Sequence, residues 1–210
     1  MNISKGINII LVIVVCVLVF KIIYTKLWQK NTEKKENANV ILENIYTRTS
    51  IRAYQDRPVE DQKVEQILRA AMSAPTAVNK QPWAFVVINQ KEKLKQLADS
   101  LPYAKMLHQA PLAIVVCGDL TKALPGDGMT YWIQDASAAT ENLLLATHAV
   151  GLGAVWTGVF PIEERVKTVQ RTLQMPDSII PLCVVPIGYP AEKPSPKDKW
   201  NKSNIHMNQW

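Results

Sequence analysis

Cysteine is scarce in this 210-residue chain. Its three cysteines, Cys16, Cys117 and Cys183, each lie in an apolar run and none is near another. That spacing excludes a CxxC redox pair, a zinc knuckle and a disulfide framework, and it suits buried core thiols in a reducing compartment. Histidine is equally sparse: His108, His148 and His206 have no metal-ligand spacing. The eight glycines never assemble a phosphate loop. Gly151-Leu152-Gly153 is half of a dinucleotide fingerprint, but Trp156 stands where the third glycine is needed. A helical pattern, not a strand, precedes it, so a Rossmann site is excluded, and a P-loop is absent. Repeats and low-complexity tracts are absent as well.

A dominant charge is also missing from most of the chain. The formal net charge is +6, but residues 1–36 hold six Lys against two Glu. The remaining 37–210 carry 18 basic and 16 acidic side chains. A nearly neutral body argues against nucleic acid as partner. With 48% hydrophobic residues the chain can bury a full core.

The basic excess flanks an apolar stretch, Ile7 to Tyr24, interrupted by Asn8 and Lys21. Extended to Trp28, with Lys21 and Lys26 snorkelling, it reaches the roughly 20 residues of a spanning helix. Lys21 to Gln29 has no Ala, Gly or Ser to make a cleavage site, so an uncleaved anchor is expected over 1–28, meeting the membrane through residues 7–28. Lys26, Lys30, Lys34 and Lys35 outweigh Lys5, which places the following domain in the cytoplasm. The polar stretch 29–39 reads as a linker and 40–210 as the globular domain.

Within that domain, helices are expected over 40–46, 60–72, 91–100, 133–150 and 163–173, from apolar spacing or charge pattern. Short apolar runs predict strands over 84–89, 112–117, 154–157 and 181–188. The 133–150 segment is apolar or small over most of its circumference, so burial on nearly all sides, partly against another subunit, is expected.

Four constellations can carry chemistry. Arg48-Thr49-Ser50-Ile51-Arg52 places two guanidiniums beside two hydroxyls. If extended, it aims Arg48, Ser50 and Arg52 to one side, where they can hold a phosphate. A solvated basic turn would read the same. Residues 74–83, APTAVNKQPW, form a proline-stiffened loop with two amides, suited to the edge of a flat heterocycle or simply to a connector. Thr157-Gly158 can offer a backbone N–H to a ring nitrogen. Lys197 to Trp200 is a further possible phosphate contact.

In this order, RTSIRAY (48–54), APTAVNKQPW (74–83), YWIQDASAATENLLLATHAVGLGAVWTGVFP (131–161) and IGYPAEKP (187–194) resemble the nitroreductase family of flavoproteins, from about Val40 to Trp210. The resemblance implies an α+β fold, a mainly antiparallel central sheet flanked by helices, in an intertwined homodimer with FMN at the interface. Arg48, Thr49, Ser50 and Arg52 would bind the FMN phosphate and ribityl chain. Lys199 would add a phosphate contact where the family often has Arg. Pro75, Thr76, Ala77 and Asn79 would approach the ring from the partner subunit, and Thr157 and Gly158 would line it near N5. The implied activity is ping-pong hydride transfer from NADH or NADPH, through flavin N5, to a nitroaromatic, quinone or enone acceptor. No catalytic acid or base is expected. The rival is a membrane-tethered flavin-binding module without turnover.

Overall fold

The computed structural model describes residues 18–26 and 39–210. By internal contacts the chain divides into Met1–Tyr46 and Thr47–Trp210. In the first unit, 18–26 and 39–46 are helical, the latter helix continuing to residue 47.

The expected transmembrane helix is not borne out. Among the described residues no helix is long and apolar enough to cross a membrane. The described helical stretch 18–26 contains Lys21 and Lys26. The rest of the expected anchor, 1–17 and 27–28, and nearly all of the expected linker 29–39 lie outside the described residues. The membrane localisation, the membrane as partner through 7–28 and the cytoplasmic orientation all rested on that helix and are withdrawn with it.

The second unit is built on five antiparallel strands: β1 (Trp83–Ile88), β2 (Leu112–Asp119), β3 (Gly153–Ala154), β4 (Thr157–Gly158) and β5 (Ile179–Gly188). Their order is β1-β2-β5-β3, with β4 also pairing β5. Every residue of β2 is buried, so it reads as an unbroken apolar run rather than an alternating one. Its alternate side chains feed two cores. Ile114 and Val116 join Ile67, Ala71, Trp132, Ala136 and Leu143 from helices α1 (Asp61–Met72) and α3 (Tyr131–Ala149). Val115 and Cys117 join Leu94, Leu97, Val166 and Val169 from α2 (Lys91–Ser100) and α4 (Glu163–Leu173). The architecture is therefore the expected α+β arrangement of helices on both faces of an antiparallel sheet.

One strand departs from expectation. The segment 154–157 splits into β3 and β4, although both keep the same register on β5: Ala154 faces Ile187 and Thr157 faces Val184. Continuing that register sets Val155 opposite Pro186, which has no N–H to donate. The ladder opens there, and the Pro186 carbonyl accepts from Tyr54 Oη at 3.2 Å instead. Helix α3 is expected to be buried on nearly all sides, partly against another subunit. Within one chain it buries Trp132, Asp135, Ala136, Ala139, Thr140, Leu143, Leu144 and Thr147, while Gln134, Glu141 and Ala149 are exposed.

Candidate functional site

The Arg48–Arg52 segment lies along the outer side of β3. Ser50 bridges Ala154 in parallel fashion, and Ile51 N–H donates to the Ala154 carbonyl at 3.0 Å. Ile51 turns inward, so a Cβ on Gly153 would come within 2.7 Å of its side chain. Only glycine lets the two segments approach this closely. Arg52 points outward, whereas Arg48, Thr49 and Ser50 are half-buried.

Arg48 keeps a loose ion pair, Nε to Glu141 Oε1 at 3.9 Å. Next to it, His148 Nε2 and Thr47 Oγ1 are 3.0 Å apart. Burial, reinforced by the Arg48 charge, holds the His148 pKa below its ordinary value. The imidazole therefore stays uncharged at neutral pH and leaves Arg48 as the local cation.

Downstream chain clamps this segment. Glu192 Oε1 accepts the Ala53 N–H at 3.1 Å and also that of Arg52. Gln55 N–H donates to the Tyr189 carbonyl, and Ala191 N–H to that of Ala53, both at 2.9 Å. Tyr189 is itself held: its hydroxyl donates to Glu60 Oε2 at 2.7 Å and accepts from Lys63 Nζ at 3.0 Å, and Arg57 stacks on its ring. That hydroxyl, followed by Glu60's own backbone N–H, pulls the Glu60 carboxyl down to about 2.

β4 brings Thr157 and Gly158 to the same sheet edge, through their shared neighbour β5. Thr157 Oγ1 is buried and has no hydrogen-bond partner among the described residues. A buried hydroxyl without a partner costs roughly 1–3 kcal/mol, which marks a place for a polar ligand atom. Gly158 is exposed, and a Cβ there would meet nothing within 4 Å. Its carbonyl accepts from Arg165 Nη1 at 3.4 Å.

The 74–83 loop joins α1 to β1 and is pinned to α3 by Asp135, whose Oδ1 accepts the Ala77 N–H at 2.9 Å. Pro75 and Asn79 are exposed, Thr76 and Ala77 half-buried. Lys199 stands in the exposed tail 191–210. Past Glu192 the described hydrogen bonds of that tail stay within it, as in Trp200 N–H to Asp198 Oδ1 at 2.9 Å. One chain thus joins the Arg48–Arg52 segment to Thr157-Gly158. No described bond links either to Lys199 or to the 74–83 loop.

Sequence reasoning missed Asp135, Glu192 and Arg165. Asp135 and Glu192 lie within the motifs already singled out, but a carboxyl that accepts a backbone N–H from 58 or 139 residues away leaves no local pattern.

The profile of the nitroreductase family matches residues 45–101 and 97–189. A Methanothermobacter thermautotrophicus protein, provisionally named NADH dehydrogenase/NAD(P)H nitroreductase, is 46% identical over 171 residues, covering 81% of this chain and 87% of its own. A crystal structure under the same provisional name from Bacteroides thetaiotaomicron superposes with a TM-score of 0.77 at 47% identity, covering 81% of this chain and 98% of that one. The FMN-dependent nitroreductase of Clostridium difficile gives 0.74 at 31% identity, over 80% of this chain and 99% of its own.

Proposed function

The chain belongs to the nitroreductase family, and from that premise we propose that it is an FMN-dependent oxidoreductase whose flavin lies between two copies of the chain. The observation that carries the proposal is the pairing of a half-buried Arg48–Ser50 segment with the unpartnered Thr157 Oγ1 on one sheet edge. A ligand with a phosphate at one end and a polar ring edge at the other matches both. Relatives named for FMN, NADH and NADPH point to the same cofactors.

The division of labour among residues follows from their chemistry. Arg48 and Arg52 hold the FMN phosphate, Arg as a planar fork suited to its oxygens. Thr49 and Ser50 bond the ribityl chain. Lys199 adds a point charge, without the fork. Thr157 gives its hydroxyl, and Gly158 leaves the ring face unobstructed. Pro75, Thr76, Ala77 and Asn79 approach from a second copy, which explains why one chain leaves them apart from the rest. When bound, FMN supplies two-electron chemistry, taking hydride from NADH or NADPH and yielding it to a nitroaromatic, quinone or enone. The protein's part is to bind, orient and exclude water. We assign residues 40–210 to this domain.

The test is a visible absorbance spectrum of the purified full chain, before and after anaerobic NADH or NADPH. The expected result is a flavin spectrum that bleaches. A chain that takes up no FMN, or whose bound flavin stays oxidised under excess of both donors, overturns the proposal.

A further inference from the structure

The loop between α1 and β1 has a strained backbone. Thr76 is extended, with φ −136° and ψ 154°. Val78, Asn79 and Gln81 then take φ values of 51°, 54° and 50°. This is the left-handed region, costly for side chains and most of all for a β-branched one. Val78 is 80% exposed, so no packing of its side chain compensates. The loop's internal bonds close a tight turn: Asn79 N–H to the Thr76 carbonyl, Lys80 N–H to that of Ala77, and Gln81 N–H to Thr76 Oγ1. Gln81 Nε2 also donates to Asn79 Oδ1 at 3.0 Å. These bonds set the loop's shape but not its place on the protein.

Its place comes from Asp135. This side chain near the start of α3 is only 6% exposed, and its Oδ1 accepts the N–H of Ala77, the residue between extended Thr76 and left-handed Val78. A carboxyl in the core is costly unless its hydrogen bonds compensate. Backbone strain persists only where the surroundings enforce it. Both costs meet at this one bond, which is what a functional constraint would produce and a plain connector would not.

We propose that Asp135 is a positioning residue that fastens the strained 76–81 loop to the buried helix, so that Thr76, Ala77 and Asn79 meet the flavin ring in a single conformation. The inference rests on the flavin-facing reading of that loop.

Three full-length variants test it. Asp135→Ala removes the acceptor. Asp135→Asn keeps an accepting oxygen. Ala77→Pro removes the donor where the preceding residue already has the extended backbone that proline requires, and it serves if Asp135→Ala does not fold. Amide hydrogen exchange of the flavin-free chain reads the loop alone. Amides of 76–81 are expected to exchange about tenfold faster or more in Asp135→Ala and Ala77→Pro, as loss of a buried hydrogen bond implies. β2 and β5 should be unchanged, and Asp135→Asn should resemble the parent. FMN titration reads the consequence: affinity should fall about tenfold or more in the same two variants, with the absorbance bands moving toward those of free FMN. Asp135→Asn should restore both. Unchanged loop exchange in Asp135→Ala, or equal damage in Asp135→Asn, overturns the positioning role. So does a loosened loop with FMN binding and spectrum intact. A parent chain that binds no FMN overturns the proposed function instead, and hydrogen exchange then decides the fastening by itself.

Discussion

The sharpest test of the phosphate assignment is at Arg52. Its backbone N–H is engaged by Glu192, but its side chain is exposed, so Arg52→Ala should leave stability within about 0.5 kcal/mol. A charge-assisted bond to phosphate contributes about 1.5–3 kcal/mol, so FMN affinity should fall roughly ten- to a hundredfold. Riboflavin, which lacks the phosphate, should bind parent and variant alike. Equal loss for both flavins would move the phosphate elsewhere. Glu60 gives a pH test. Its folded-state pKa, about 2, lies below the ordinary 4.5, and the Tyr189 hydroxyl is the first cause. A depressed carboxylate contributes stability above its unfolded pKa and loses it as pH falls through the folded one. Tyr189→Phe should therefore melt lower than the parent at pH 7, and the gap should narrow between pH 4.5 and 2. A gap that is constant over that window would show that the Tyr189 hydroxyl does not favour the ionised form of Glu60.

Among the elements, the contact of β3 with the Arg48–Arg52 segment matters most. A methyl at Gly153 would lie 2.7 Å from both Cβ and Cγ1 of Ile51, the branched root of a buried side chain, so the segment itself must shift. Gly153→Ala should cost about 1–3 kcal/mol in thermal melts and weaken FMN binding at the same time. A loss of stability with FMN affinity unchanged would separate the sheet edge from the phosphate site. At this scale the sequence was informative where pattern is local. Lys91–Ser100 and Glu163–Leu173 form helices with the expected bounds, because each shows one apolar stripe among charges. The split of 154–157 was not legible, since its cause, Pro186, lies about thirty residues away on β5 and acts only once the strands are paired. The expected anchor over 1–28 failed for the opposite reason: composition alone made an apolar run look like a span, and among the described residues no helix is long and apolar enough to be one.

At the scale of the whole molecule, one chain brings together only part of the candidate site. The Arg48–Ser50 segment and Thr157 lie on one sheet edge within one copy, because the sheet carries both. The 74–83 loop and Lys199 do not join them, and no residue pattern tells which exposed face meets a second copy. The tail exposes large apolar side chains: Trp200 is 74% exposed, Met207 78% and Trp210 99%. Burying such side chains against another surface would be favourable. If the second copy completes the flavin site, subunit association and flavin binding are linked, each strengthening the other by the same factor. Sedimentation of the full chain should then show a dimer carrying one FMN per chain. On dilution, flavin fluorescence should rise over the same concentration range in which the dimer dissociates, and added FMN should shift that range downward. A monomer that retains FMN through dilution would place the entire site within one chain and remove the partner's loop from it.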